Sequence, residues 1–200
     1  MGHLILHEIR QRRLLFLVAF CLFVIFYYAY GQRTETMESL FMLFPILATS
    51  MIFGAEEEIE YIIVGRVPLW AVMVVRFITI YLSVTLLPTV FILCTRQTYI
   101  MTKVLFTFWI TILMMCALGL FWRVVLKSAF ASLLFSSLSY SVLTVLQWWL
   151  DGQAWHSIFA PFEAITLTDP YFAYNRLVVF GYTVVLLAGS ALALKKRQNV

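Results

Sequence analysis

The residues best suited to a specific contact lie in an acidic stretch with the sequence AEEEIEYIIVGRVP. Ile59, Ile62 and Ile63 recur at helical spacing while the glutamates cluster on other faces, which predicts a short amphipathic helix that ends before Pro68. Anionic lipid headgroups repel carboxylates, so we expect this helix to dock on a basic groove of a soluble partner. A solvated acidic loop is the alternative. The candidate contact residues are Glu56, Glu57, Glu58, Glu60, Tyr61, Gly65 and Arg66.

A second pattern is a stripe of hydroxyl-bearing residues at four-residue steps, formed by Ser132, Ser136, Tyr140 and Thr144. Small hydroxyl side chains let two helices approach closely and hydrogen-bond across the contact. The stripe therefore has two interpretations. It is either a surface for packing against a neighbouring helix, or part of a translocation wall or subunit interface.

Long apolar stretches surround both patterns and determine the fold class. Of the 200 residues, 63% are apolar and only 12% are charged, whereas soluble domains average about 45–50% and 25%. Spanning a bilayer takes about 17 to 25 residues of helix. The chain is therefore predicted to be an all-α membrane protein with a single domain, residues 1–200, and six transmembrane helices. The predicted spans are residues 14–30, 39–54, 69–94, 103–122, 128–150 and 176–194.

Basic residues predict the orientation, because cytoplasmic loops retain Lys and Arg. With the N terminus inside, the cytoplasmic segments hold Arg10, Arg12, Arg13, Arg66, Arg123, Lys127, Lys195, Lys196 and Arg197. The external segments hold Arg33, Arg96, Lys103 and Arg176. The chain is thus expected in the plasma or inner membrane, with both termini in the cytoplasm. This placement beside apolar runs also argues against nucleic acid as a partner.

Arg76 falls inside the third span, where a charge is costly. We expect its side chain to snorkel to the cytoplasmic surface, towards Glu57 or Glu60.

Several kinds of chemistry are not supported by the sequence. It has no G-x-x-x-x-G-K-[ST] motif for binding ATP. The predicted spans lack the paired acids or the Ser and His of an intramembrane protease. His3, His7 and Glu8 are too weak a set to predict a metal site. The chain is therefore predicted not to be an enzyme and to hold no cofactor or metal of its own.

In order along the chain, the acidic stretch and the start of the third span resemble the type-2 ABC transporter permeases. The residues that carry this resemblance are Glu57, Glu58, Glu60, Ile62, Ile63, Gly65, Pro68, Trp70 and Arg76. Residues 64–67 differ from the Ser-rich step that the family shows before the proline, whereas the six-span layout extends the resemblance over the whole chain. The resemblance implies a coupling helix between spans two and three and an interfacial helix at the N terminus.

The same resemblance implies a function. The chain would be the permease subunit of an ABC exporter, paired with an identical or different permease subunit. ATP and Mg²⁺ would be bound by a separate cytosolic ATPase subunit. The apolar composition favours an amphiphilic or hydrophobic cargo, such as a lipid, drug or membrane-active peptide, and membrane lipids are further partners.

The aromatic segment over residues 151–175 should dip into the membrane interface. In the family this position holds re-entrant helices that close the external end of the pathway, and a static aromatic cap is the alternative. The gate residues that the resemblance implies are Phe159, Phe162, Glu163 and Asp169.

The chief competing hypothesis is a non-transporting membrane scaffold or immunity-type protein that holds some other cytosolic partner through the acidic stretch. An enzyme embedded in the membrane ranks third.

Overall fold

The computed structural model describes residues 13–29, 43–51, 69–95, 101–126, 128–149 and 172–198, and every one of these except Ser128 is helical. The helices of this part of the chain are α1 (Arg13–Ala29), α2 (Leu43–Met51), α3 (Leu69–Thr95), α4 (Met101–Leu126), α5 (Ala129–Trp149) and α6 (Phe172–Gln198). The prediction of an all-helical protein is thus confirmed for the described residues.

Three helical stretches among these residues are long and apolar enough to cross a membrane, namely Leu105–Leu126, Ala129–Leu146 and Phe172–Lys196. Trp70–Leu86 in α3 is apolar but shorter. The nine residues of α2 measure only about 14 Å along the axis, less than the hydrocarbon thickness of about 30 Å. These findings are compatible with a membrane protein, and they do not extend to all six predicted spans.

Helix α4 lies at the centre of the bundle and contacts α2, α3, α5 and α6. Its middle is almost wholly buried, including Ile112, Met115, Cys116 and Ala117, each at 0% exposure. Helix α1 reaches it through an edge-to-face contact of Phe23 with Phe108, whose ring centroids lie 5.8 Å apart. Since lipid is as apolar as these side chains, close packing and hydrogen bonds between helices must hold the bundle together.

The hydroxyl groups of the apolar helices mostly bond within their own helix. Thr79, Thr85 and Thr183 each donate to the carbonyl oxygen four residues earlier, at 2.7 to 3.1 Å. This arrangement satisfies a polar group where water is absent. Many Ser and Thr residues can therefore occupy these helices without marking a site.

Candidate functional site

The helix directions divide the bundle into two ends. Gly189 of α6 lies beside Phe121 of α4, and Arg176 lies beside Thr111, so α6 runs parallel to α4. Helix α3 runs antiparallel to α4, because Tyr81 approaches Trp109 while Met73 packs with Leu120 and Val124. We call the end that holds the last turn of α4 and α6 the Lys195 end, and the opposite end the Arg176 end.

The remaining helices follow from the same contacts. Thr49, near the end of α2, lies against Gly119, so α2 ends towards the Lys195 end, where α3 begins. Helix α5 starts there after a turn at Ser128 and runs to the Arg176 end. In the chain, residues 52–68 thus join two helix ends that lie towards the Lys195 end, and residues 150–171 join the end of α5 to the start of α6 at the other.

Buried arginines stand at both ends. Arg76 of α3 and Arg123 of α4, towards the Lys195 end, are 1% and 5% exposed. Surrounding protein covers the Arg76 guanidinium, so its side chain does not lie open at the cytoplasmic surface as snorkelling would require. The glutamates expected as its partners, Glu57 and Glu60, lie outside the described residues.

Arg176 differs most from its sequence-based prediction. We expected it in an external segment, at the start of the sixth span, but α6 already begins at Phe172 and Arg176 is only 1% exposed. Its Nη1 atom donates to Thr111 Oγ1 of α4 at 3.0 Å, and its Cζ atom lies 5.9 Å from the centre of the Phe172 ring. Thr111 donates in turn to the carbonyl of Thr107 at 2.9 Å. This guanidinium therefore links α6 to α4 inside the bundle.

Sequence reasoning also missed Asn175, which is fully buried beside Arg176. The sequence does contain a signal for its position. Asn175 and Arg176 directly precede the apolar run of the sixth span, so the pair can belong to the same helix, which begins at Phe172. The hydrophobic pattern alone places the boundary too late, since the polar pair interrupts it.

Of the three glycines in the described helices, Gly119 has the closest neighbours. A Cβ atom added there would lie 1.9 Å from Thr49 Oγ1 and 3.1 Å from the carbonyl oxygen of Ile46. On the other side, Ser132 Oγ of α5 donates to the Gly119 carbonyl at 3.5 Å. We call Thr49, Gly119 and Ser132 the glycine seam, where α2, α4 and α5 meet.

The hydroxyl stripe of α5 is divided by the fold. Ser132 and Ser136 are fully buried, whereas Tyr140 is partly buried and packs at the edge of the core. Thr144 is exposed and donates to the Tyr140 carbonyl of its own helix at 2.9 Å. The first half of the stripe thus packs within the chain, and only its last member is open to a lipid or another subunit.

Two grooves lie along α3, α4 and α6, one towards each end of the bundle. The Arg176 groove has a volume of about 550 Å³ and is lined by residues that include Tyr81, Trp109, Phe172 and Arg176. The Lys195 groove has about 570 Å³ and is lined by residues that include Trp70, Phe77, Leu120 and Lys195. Both volumes fall within the range of small-molecule sites, about 300–1,000 Å³.

Two predicted sets of site residues lie outside the part of the chain that the structure describes. These are the coupling residues Glu56, Glu57, Glu58, Glu60, Tyr61, Gly65 and Arg66, and the gate residues Phe159, Phe162, Glu163 and Asp169. The predicted interfacial helix at the N terminus also falls there. These assignments stay predictions.

Comparison with protein-family models, with curated proteins and with solved structures finds no match to this chain. The site must therefore be interpreted from its own residues. Those residues form a bundle of apolar helices. Buried guanidinium groups lie towards both of its ends, and two apolar grooves lie at its surface.

Proposed function

We propose that the chain is the transmembrane permease subunit of an ABC exporter that moves an amphiphilic or hydrophobic cargo out of the cytoplasm. It works as a dimer with a second permease subunit, and a separate cytosolic ATPase subunit binds ATP and Mg²⁺. All six apolar stretches cross the membrane in this proposal, and the acidic segment is the helix that the ATPase grips.

The observation that carries the proposal is the position of the two helix ends between which the acidic segment runs. Met51 and Leu69 both belong to the Lys195 end, so the segment begins and finishes on one side of the bundle. Basic residues concentrate at that end as well, which supports a cytoplasmic location. The described helices carry six basic residues at that end and two at the other. The six are Arg13, Arg76, Arg123, Lys195, Lys196 and Arg197, and the two are Lys103 and Arg176.

A matched pair of charge reversals tests the coupling role. In one variant Glu57 and Glu58 become lysine, and in the control Glu35 and Glu38, on the segment predicted to be external, undergo the same change. We expect the chain with native glutamates, and the control, to recover a P-loop ATPase in equal amounts on purification, whereas the Glu57→Lys/Glu58→Lys variant loses it. Equal recovery by both variants would rule out the coupling role. Recovery of a cytosolic protein without a P-loop would favour the scaffold hypothesis.

The orientation is tested by labelling from outside the cell. Cys21 and Cys94 are exposed on the helices, so they are first replaced by serine together with Cys116. A single cysteine at position 33 or 156 should then react with a membrane-impermeant maleimide, and one at position 58 should react only after the membrane is permeabilised. The reverse pattern would place the acidic segment outside and refute the proposal.

A further inference from the structure

The Lys195 groove combines an apolar trough with an exposed positive charge at one end. Met73, Val74 and Phe77 of α3 and Leu120 and Leu187 of α4 and α6 line the trough. The hydroxyl of Ser190, which also lines it, is satisfied by donating to the Leu186 carbonyl at 2.8 Å. Because none of these lining side chains has an unsatisfied polar group, the trough suits a hydrocarbon chain.

The depth of Lys195 in a bilayer follows from the length of α6. Its apolar stretch, Phe172–Lys196, has 25 residues and measures about 37 Å, which exceeds the hydrocarbon thickness of about 30 Å. The stretch is thus long enough for its last turn to reach the headgroups, where the charges of Lys195 and Lys196 are least costly. Trp70, 54% exposed on the antiparallel helix α3, lies at the same end of the groove, as expected of an interfacial tryptophan.

The charge of the surroundings selects the kind of headgroup. Among the described residues that line the groove there is no Asp or Glu, and Lys195 is the charged residue of that set. Lys195 and its neighbour Lys196 are both exposed at this end. An anionic headgroup is therefore favoured over a zwitterionic one.

The Arg176 groove provides the contrast. It has nearly the same volume and lies along the same three helices, but its guanidinium is 1% exposed and already donates to Thr111. A headgroup cannot reach that charge without a rearrangement, whereas the Lys195 ammonium is accessible.

We propose that the Lys195 groove binds one anionic phospholipid, with an acyl chain in the apolar trough and the headgroup against Lys195. The site is part of the folded chain itself and does not depend on an ATPase subunit or on transport.

The test is lipid titration of the purified full-length chain in detergent, followed by native mass spectrometry. The probes are phosphatidylglycerol and phosphatidylcholine with identical acyl chains. We expect the first lipid bound to be phosphatidylglycerol by about five-fold, the contribution of one lysine near a headgroup. Lys195→Gln should abolish this preference, whereas Lys196→Gln, which removes the same charge outside the groove lining, should retain most of it.

A second pair of variants fills each groove in turn. Ala191 lines the Lys195 groove and Ala173 lines the Arg176 groove, both exposed on α6. We expect Ala191→Trp to reduce first-lipid binding several-fold and Ala173→Trp to leave it unchanged.

The proposal is overturned if Lys195→Gln and Lys196→Gln give the same preference, or if the two tryptophan variants bind equally well. It is also overturned if Ala191→Trp converts a dimer into a monomer without changing lipid binding, because the groove would then be a contact between two copies of the chain.

Discussion

The membrane-length stretches of α4 and α6 are almost equally apolar, yet they differ in how much of each the protein buries. Their mean hydropathies are 2.1 and 2.2, but over an 18-residue window 67% of the residues are buried in the first and only 17% in the second. In a bilayer the total hydropathy of a helix reports that it can cross, since lipid and protein interior are similarly apolar. What separates the two helices is where their small and polar side chains lie.

Glycine shows the difference most directly. Gly119 of α4 sits at the glycine seam, where an added methyl group would collide with Thr49 and the Ile46 carbonyl. Gly181 of α6 has nothing within 4 Å of an added Cβ atom. Glycine is thus required at position 119 and dispensable at position 181.

The largest predicted effect comes from exchanging these two glycines for alanine. We expect Gly119→Ala to destabilise the protein by about 3 kcal/mol, because the seam has no space for a methyl group. Gly181→Ala should be neutral or stabilise by up to about 1 kcal/mol, since alanine favours a helix. Both are measured as unfolding free energies in mixed micelles with increasing denaturing detergent.

A second substitution distinguishes the seam from a general effect on α4. Adding Thr49→Ala to Gly119→Ala should recover part of the loss, because it removes Thr49 Oγ1, the nearest clashing atom. No recovery in the double variant, or equal losses for the two glycines, would contradict the described α2–α4 contact.

An intermediate effect is expected at the threonine that accepts the hydrogen bond from Arg176. Thr111→Val keeps the shape of the side chain but removes this buried acceptor, so we expect a loss of about 2 kcal/mol. Thr144→Val is the matched control, because Thr144 is exposed and bonds only to its own helix. It should change the unfolding free energy by less than about 0.5 kcal/mol. Equal effects of the two variants would refute the link between α6 and α4.

The smallest effect is expected between α4 and α5, where Trp122 Nε1 donates to Ser139 Oγ at 3.0 Å. Ser139→Ala should cost about 0.6 kcal/mol, the average for a hydrogen bond between membrane helices. Ser141→Ala is the control, since Ser141 is exposed and donates to the Ser137 carbonyl. The same unfolding assay should show a change only for the first variant, and a similar change for both would exclude a contribution from the Trp122 bond.

The position of most helices could be predicted from the sequence. The stretches predicted at residues 69–94, 103–122 and 128–150 correspond to Leu69–Thr95, Met101–Leu126 and Ala129–Trp149. Long apolar runs make these boundaries clear, because few other segments of the chain resemble them. The buried position of Arg176 could not be predicted in this way, since its hydrogen-bond partner Thr111 lies 65 residues away in the chain.

The candidate site was less predictable than the helices. The sequence shows the α5 stripe as four hydroxyl-bearing residues at one spacing, but it could not tell that Ser132 is buried while Thr144 is exposed. The two grooves were not predicted, because each depends on how α3 and α6 are spaced around α4. That spacing is a property of tertiary packing, which periodicity does not contain.

The turn between α4 and α5 restricts how the protein can move. Only Lys127 and Ser128 separate the two helices, and the Ser128 amide donates to the Leu126 carbonyl at 2.7 Å while its Oγ accepts the Ala131 amide at 3.3 Å. A connection this short leaves no slack for α5 to slide one turn, about 5.4 Å, along α4. We therefore expect α4 and α5 to travel as one rigid body in any motion of the bundle.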